Sequence, residues 1–331
     1  MKIEEIKYKS FLEFAKDVLF PGGNLYKRLN NFVYRGERTR AYKLLPGALR
    51  EDNLDKLFCH KKPIDNQAQW LTWQVYAEYS LIREFYKVAN NGGLKVPRVD
   101  AISQNYNDLF PTELHHRTGV YKWISDDVAD LAALAQHYGV LTRLLDWSYD
   151  LYVALYFACV GAIKAYEEEG FKDDDTIVIW ALNANYIQFL QPTTSRIPLK
   201  FVVPPYHDNP NLNAQKGVLS YWEVDVPSHM EQAKELQKGI VRLTDRSPLD
   251  VLLQAYCDAY PGKNEDLVLL YKLEIPVQES IAVYNYLNNL GYTASKLFPG
   301  YDGVVKDMEE KAIFQRVKEQ LLVSGDLTNK L

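Results

Sequence analysis

Apolar positions recur at helical spacing over residues 68 to 90, AQWLTWQVYAEYSLIREFYKVAN, which predicts a long helix stopped by Asn91-Gly92-Gly93. A second amphipathic helix is predicted from the cap Ser125-Asp126-Asp127 to Tyr138, with Gly139 as its C-terminal stop. The C-terminal run MEEKAIFQRVKEQLLV repeats the pattern. Residues 150 to 168 differ, because their apolar positions suit a helix buried on every side. Shorter helices are expected at 10 to 20, at 248 to 259 with Pro248 in the first turn, and over VQESIAVYNYLNNL, closed by Gly291.

Short apolar or alternating runs predict strands at 31 to 36, 175 to 182, 198 to 203, 218 to 225 and 267 to 275. Gly303-Val304-Val305 reads as the start of a last strand, and residues 95 to 120 read as irregular. The element order predicts an α+β fold, with a helical N-terminal half around a small mixed or antiparallel sheet. Its irregular alternation argues against a doubly wound parallel sheet. The expected organisation is a helical segment over 1 to 29, a main domain over 30 to 305, and a C-terminal amphipathic helix over 306 to 331.

With 331 residues, 47% of them hydrophobic, the chain can build a sizeable core. A net charge of -5 disfavours non-specific nucleic-acid binding but leaves room for a local basic cleft. Cys59, Cys159 and Cys257 form no Cys-x-x-Cys pair and read as reduced, buried thiols of a cytoplasmic protein. The N-terminus does not read as a signal peptide. The apolar run near 151 to 163 is too short and aromatic for a membrane span, so no membrane partner is expected. The adjacent His115-His116 pair diverges on any regular element, and no ligand spacing for a metal is present. Glycine fingerprints for dinucleotides or for a phosphate loop are missing, as is a nucleophile elbow. The 24 tyrosines suit amphipathic packing or stacking on bases and sugars.

The densest chemistry lies in Ala135-Gln136-His137-Tyr138-Gly139-Val140-Leu141-Thr142-Arg143-Leu144-Leu145-Asp146-Trp147-Ser148, between an amphipathic helix and an apolar one. Polar residues at the ends of two rigid elements are well held for binding or catalysis. His137, Arg143 and Asp146 are the candidate catalytic residues. Arg35, Gly36, Tyr138, Ser148 and Gln215 are the candidate ligand-binding residues. Arg35 presents a planar fork suited to phosphate or carboxylate, or else pairs with a buried acid such as Asp146. Gly36 allows a sharp turn or a close ligand approach. His137, in a last helical turn, is expected to favour its protonated form. Arg143 and Asp146, three apart, face a cleft together or pair with each other. Gln215 reads a ligand amide or hydroxyl, or bonds within its loop. Glu37 and Glu223 are further carboxylates without a motif around them.

AQHYGVLTRLLDWS followed by ALYFA resembles the signature of the FRG domain family, and Tyr34-Arg35-Gly36-Glu37 resembles its N-terminal Phe/Tyr-Arg-Gly. Leu44-Leu45-Pro46 with Arg50, Ala214-Gln215-Lys216-Gly217, and Leu297-Phe298-Pro299-Gly300-Tyr301-Asp302-Gly303 continue the resemblance in order. Leu141 stands where family members usually carry Pro, and Asn211-Leu212-Asn213 where an Arg usually precedes the Gln.

A remoter resemblance is to ADP-ribosyltransferases, which hold NAD with an Arg on an early strand. Asp146-Trp147-Ser148 stands where their Ser-Thr-Ser would be, and no late Glu-x-Glu is present. That resemblance implies NAD as substrate, with its pyrophosphate clamped by Arg35 and Arg143. It also implies protein, nucleic acid or water as the acceptor, the last making the enzyme an NAD glycohydrolase, and chemistry fit for a toxin or phage-defence effector. Two other readings stay open: a non-catalytic nucleotide- or nucleic-acid-binding module, and a protein-interaction domain whose polar signature is a structural network.

Overall fold

The computed structural model describes residues 1–60, 62–171, 174–204, 209–260 and 266–324. The fold is α+β. Among the described residues the strands are β1 (Lys2–Lys7), β2 (Val33–Glu37), β3 (Val120–Trp123), β4 (Leu145–Ser148), β5 (Thr176–Leu182), β6 (Leu199–Val202), β7 (Gly217–Trp222), β8 (Val224–Pro227) and β9 (Val268–Pro276). Seven of them form one mixed sheet in the order β1-β9-β5-β2-β4-β7-β6, and β3 pairs with β8 in a small ribbon. β1 runs parallel to β9, and the other pairs of the large sheet are antiparallel.

The expected helices at 68 to 90 and 150 to 168 form as Leu71–Asn91 and Leu151–Glu169. Asp150 caps the second by accepting a hydrogen bond from the Tyr152 N–H. One sheet face, through Ile177, Ile179, Leu273 and Ile275, packs on this helix and on Ser280–Asn289. The other face, through Val33, Val178 and Trp180, packs on Leu249–Ala259 and Ala184–Leu190. A third cluster joins Leu71–Asn91 to Asp126–His137 and the β3–β8 ribbon.

Four expectations change. The first 29 residues are not simply helical, because KIEEIK pairs with β9 as the edge strand β1. β3 and β4 arise where the pattern shows irregular or turn structure: β4 enlarges the main sheet, and β3 forms the ribbon with β8. Gly303-Val304-Val305 is not a strand but lies in the helix Tyr301–Ser324. A side chain at Gly303 would place its Cβ 1.7 Å from the Phe298 carbonyl oxygen, so only glycine lets this helix start so close to that segment. Cys159 and Cys257 are buried as expected, whereas Cys59 is exposed. Among the described residues, no helix is long and apolar enough to cross a membrane.

The large sheet has a seam. Among the described residues, β2 meets β4 at one pair, Tyr34 opposite Ser148. On one side of it β2 pairs with β5 along five residues, and on the other β4 pairs with β7 along four. A continuing antiparallel ladder would bring Gly36 opposite Asp146, but the strands separate first.

Candidate functional site

A cleft of about 640 Å³ opens along this seam. Its size is ordinary for a small-molecule site. It is lined by Arg35, Gly36, His137, Tyr138, Asp146, Ser148 and Gln215, so seven of the eight candidate residues meet there although they span much of the chain. Tyr34, Tyr42, Trp147, Phe157 and Phe298 add aromatic walls, and Glu37 and Arg38 add charge.

Arg35 spans the seam. Its Nη1 donates to the Asp146 backbone carbonyl at 3.0 Å, where the ladder has lapsed. Its Nε donates to Glu37 Oε1 at 2.7 Å, and the Asp146 carboxylate lies 3.9 Å from Nη1. Burial opposes the charge of Arg35, but Glu37 and Asp146 outweigh it and hold its pKa above the ordinary value. Glu37 is buried, whereas the Asp146 side chain is 68% exposed and accepts a hydrogen bond from the Gln136 amide at 2.8 Å. Asp146 is therefore not the buried partner of an arginine, and its carboxylate faces the cleft.

Gly36 has a packing reason rather than a turn or a ligand approach. A Cβ there would stand 1.8 Å from the Ala154 carbonyl oxygen, so β2 lies directly on the backbone of the helix Leu151–Glu169. The Ser148 hydroxyl is committed: it donates to the Gln215 carbonyl at 2.7 Å and accepts from the Asp150 N–H at 2.9 Å. Gln215 in turn donates its amide to the Leu297 carbonyl at 3.2 Å, drawing the segment that carries Phe298 to the cleft. Tyr138 is exposed and stacks on Phe85 with ring centroids 6.3 Å apart.

Arg143 does not line the cleft. It is buried, and its Nε and Nη2 donate to the two oxygens of Glu78 at 2.7 and 2.8 Å. Trp123 Nε1 and Gln74 Nε2 also donate to Glu78, each at 2.8 Å, and Arg246 donates to Gln74 at 2.9 Å. A spacing of three brings side chains together on a helix. Residues 145 to 148, however, form a strand, where successive side chains alternate. Leu144 and Leu145 are both buried, but in different clusters on opposite sides. Glu223 is also anchored away from the cleft, to Lys200 at 3.2 Å and to Arg196.

Burial lowers the His137 pKa, against the opposing pull of the Asp146 carboxylate. The expected dipole effect does not prevail. The carbonyls of Ala135 and Gln136 at that helix end already accept from the N–H groups of Tyr138, Gly139 and Val140. With a folded pKa below the ordinary 6.5, the unfolded chain takes up the proton first, so stability is lost as pH falls from about 6.5 toward the folded value. His229, lowered by its own burial and by His115, acts in the same direction. Thermal melts from about pH 7 to about pH 5 should show this loss, and His137→Gln should remove part of it. Parallel pH profiles for the two proteins would contradict the assignment.

A second hollow of about 480 Å³ is lined by Trp73, Tyr76, Phe110, His115 and His229 among others, with no Arg, Lys, Asp or Glu in its wall among the described residues. Arg35, Glu37, Arg38 and Asp146 thus make the seam cleft the better candidate for chemistry. Residues 30–167 match the sequence model of the FRG domain. The chain carries an FRG domain. The matched segment supplies β2, β4 and nearly all of the helix Leu151–Glu169, and so both strands that border the seam and much of the cleft wall. No curated protein and no solved structure gives a significant match to the chain. Two cleft residues absent from the candidate set had a signal in the sequence. Arg38 follows directly on Tyr34-Arg35-Gly36-Glu37, and Phe298 sits inside the Leu297-to-Gly303 block.

Proposed function

We propose that the FRG domain's cleft binds a dinucleotide of the NAD class and cleaves the bond between nicotinamide and ribose. The observation that carries this reading is the charge arrangement at the seam. Two carboxylates, Glu37 and Asp146, surround one guanidinium, Arg35, within aromatic walls. That group has an excess of negative charge, which suits a cationic pyridinium and the oxocarbenium character that develops as it leaves. In the reaction, the C1′–N bond breaks and its electron pair passes to the ring nitrogen, releasing neutral nicotinamide. An acceptor nucleophile on protein, nucleic acid or water then bonds to C1′. Its proton goes to a base, for which His137, Glu37 and Asp146 are the groups present in the cleft. Such chemistry would suit a toxin or a phage-defence effector.

Calorimetry with NAD at millimolar concentration, beside an assay of nicotinamide release with lysate as acceptor, tests the proposal. Arg35→Ala should lower release by roughly 10²–10³-fold, the scale of removing one pre-oriented charged donor from a reaction site. Arg35→Lys should fail as well, because one ammonium cannot serve Glu37 and the Asp146 carbonyl in the geometry of the guanidinium. Absence of heat with NAD, ADP-ribose and ATP would reject nucleotide chemistry. Binding without release by the folded protein and lysate would instead favour a binding module, in which the closed Arg35–Glu37 pair serves recognition alone.

A further inference from the structure

The two arginines of the cleft differ in what already holds their charge. Arg35 is flanked by the Glu37 and Asp146 carboxylates. Arg38 has no carboxylate partner among the described residues. Its Nε and Nη2 both donate to the Tyr42 hydroxyl, at 2.9 and 2.7 Å, and its guanidinium carbon lies 5.2 Å from the centre of that ring. A phenol oxygen orients the fork without neutralising it, and the remaining N–H groups of the guanidinium stay available. Room for the side chain comes from the facing helix. Gly161 stands where a Cβ would lie 3.1 Å from the Arg38 Cβ, and Gly161, Arg38 and Tyr42 all line the cleft.

We infer that Arg38, oriented by Tyr42, is the phosphate anchor of this cleft, and that the ligand is a phosphate ester rather than a free nucleoside. This rests on the nucleotide reading above and moves the phosphate contact from Arg35 to Arg38. Arg35, balanced by its own carboxylates, is left to shape the end of the cleft that faces the sugar and the leaving ring. A charged donor with no internal counter-ion gains most from an anionic ligand, because a bidentate guanidinium–phosphate contact needs no existing ion pair to be broken.

The test compares NAD with nicotinamide riboside, and ADP-ribose with adenosine, by calorimetry on the wild-type chain, Arg38→Gln and Tyr42→Phe. The wild type should prefer each phosphorylated ligand by about 10–100-fold, the size of a lost charge-assisted contact. Arg38→Gln should lose that preference while keeping its weak nucleoside binding and its melting temperature. Tyr42→Phe should lose part of it, since the fork keeps its charge but not its orientation. Rising salt should weaken NAD binding to the wild type more than to Arg38→Gln. Equal NAD affinity for folded wild type and Arg38→Gln would overturn the inference while leaving the nucleotide reading standing. Absence of binding of any nucleotide to the wild type would overturn both.

Discussion

Arg143→Ala is expected to lower the free energy of unfolding by about 3–5 kcal/mol, as for other buried ion pairs stripped of one partner. Glu78 would keep the Trp123 indole N–H and the Gln74 amide but lose both guanidinium donors, in a place where its side chain is only 1% exposed. A charge so enclosed has no solvent to fall back on. Replacing both members, as Glu78→Gln with Arg143→Met, should recover part of the loss, because an apolar or neutral pair carries no stranded charge. Urea denaturation of the wild type and the two variants measures this directly. Nucleotide affinity per folded molecule should be unaltered in Arg143→Ala, since that side chain is held outside the cleft. A loss below about 1 kcal/mol would mean that the network does not hold the fold.

Gly36→Ala is the second large effect. The added carbon would stand 1.8 Å from the Ala154 carbonyl oxygen and 2.8 Å from its carbon, and both are helix backbone that cannot rotate away. Either β2 or the helix Leu151–Glu169 must shift. Overpacking of this kind typically costs about 1–3 kcal/mol, and a backbone obstacle places the loss at about 3 kcal/mol or more. Because Arg35 and Glu37 flank this position on β2, the displacement should also weaken ligand binding in whatever protein remains folded. Chemical denaturation with a parallel binding titration checks both effects. A Gly36→Ala protein as stable as the wild type would show that the strand–helix approach is looser than described.

The sequence made the helices legible where tertiary packing agrees with local pattern. Leu71–Asn91 and Leu151–Glu169 both follow from apolar spacing, and β5 and β9 from runs of branched and aromatic residues. β1 was not legible, because KIEEIK carries four charges and is held as an edge strand by pairing with β9 rather than by an apolar face. β4 was missed for a related reason: four residues, LDWS, become a strand through their partners in β7 and at Tyr34. The same short strand separates Arg143 from Asp146, because Leu144 and Leu145 are buried in clusters on opposite sides rather than together. The site itself was more legible than the topology. Polar residues crowded at element ends drew attention to His137, Asp146 and Ser148, and the Arg-Gly pair to the other flank. What the pattern could not give is which carboxylates the fold places beside Arg35 and which beside Arg38.

A sheet whose two halves share the pair Tyr34–Ser148 has no continuous ladder to carry load across that line. Shear between the halves is resisted by side chains instead, chiefly by the Arg35 contact to the Asp146 carbonyl and by the apolar cluster that joins Val33 and Trp180 to Leu145 and Val218. A ligand seated in the gap would act as an added rung and stiffen the molecule across its weakest section. Slower amide exchange on both flanking strands, at positions that never touch the ligand, would be the mechanical signature of an occupied cleft.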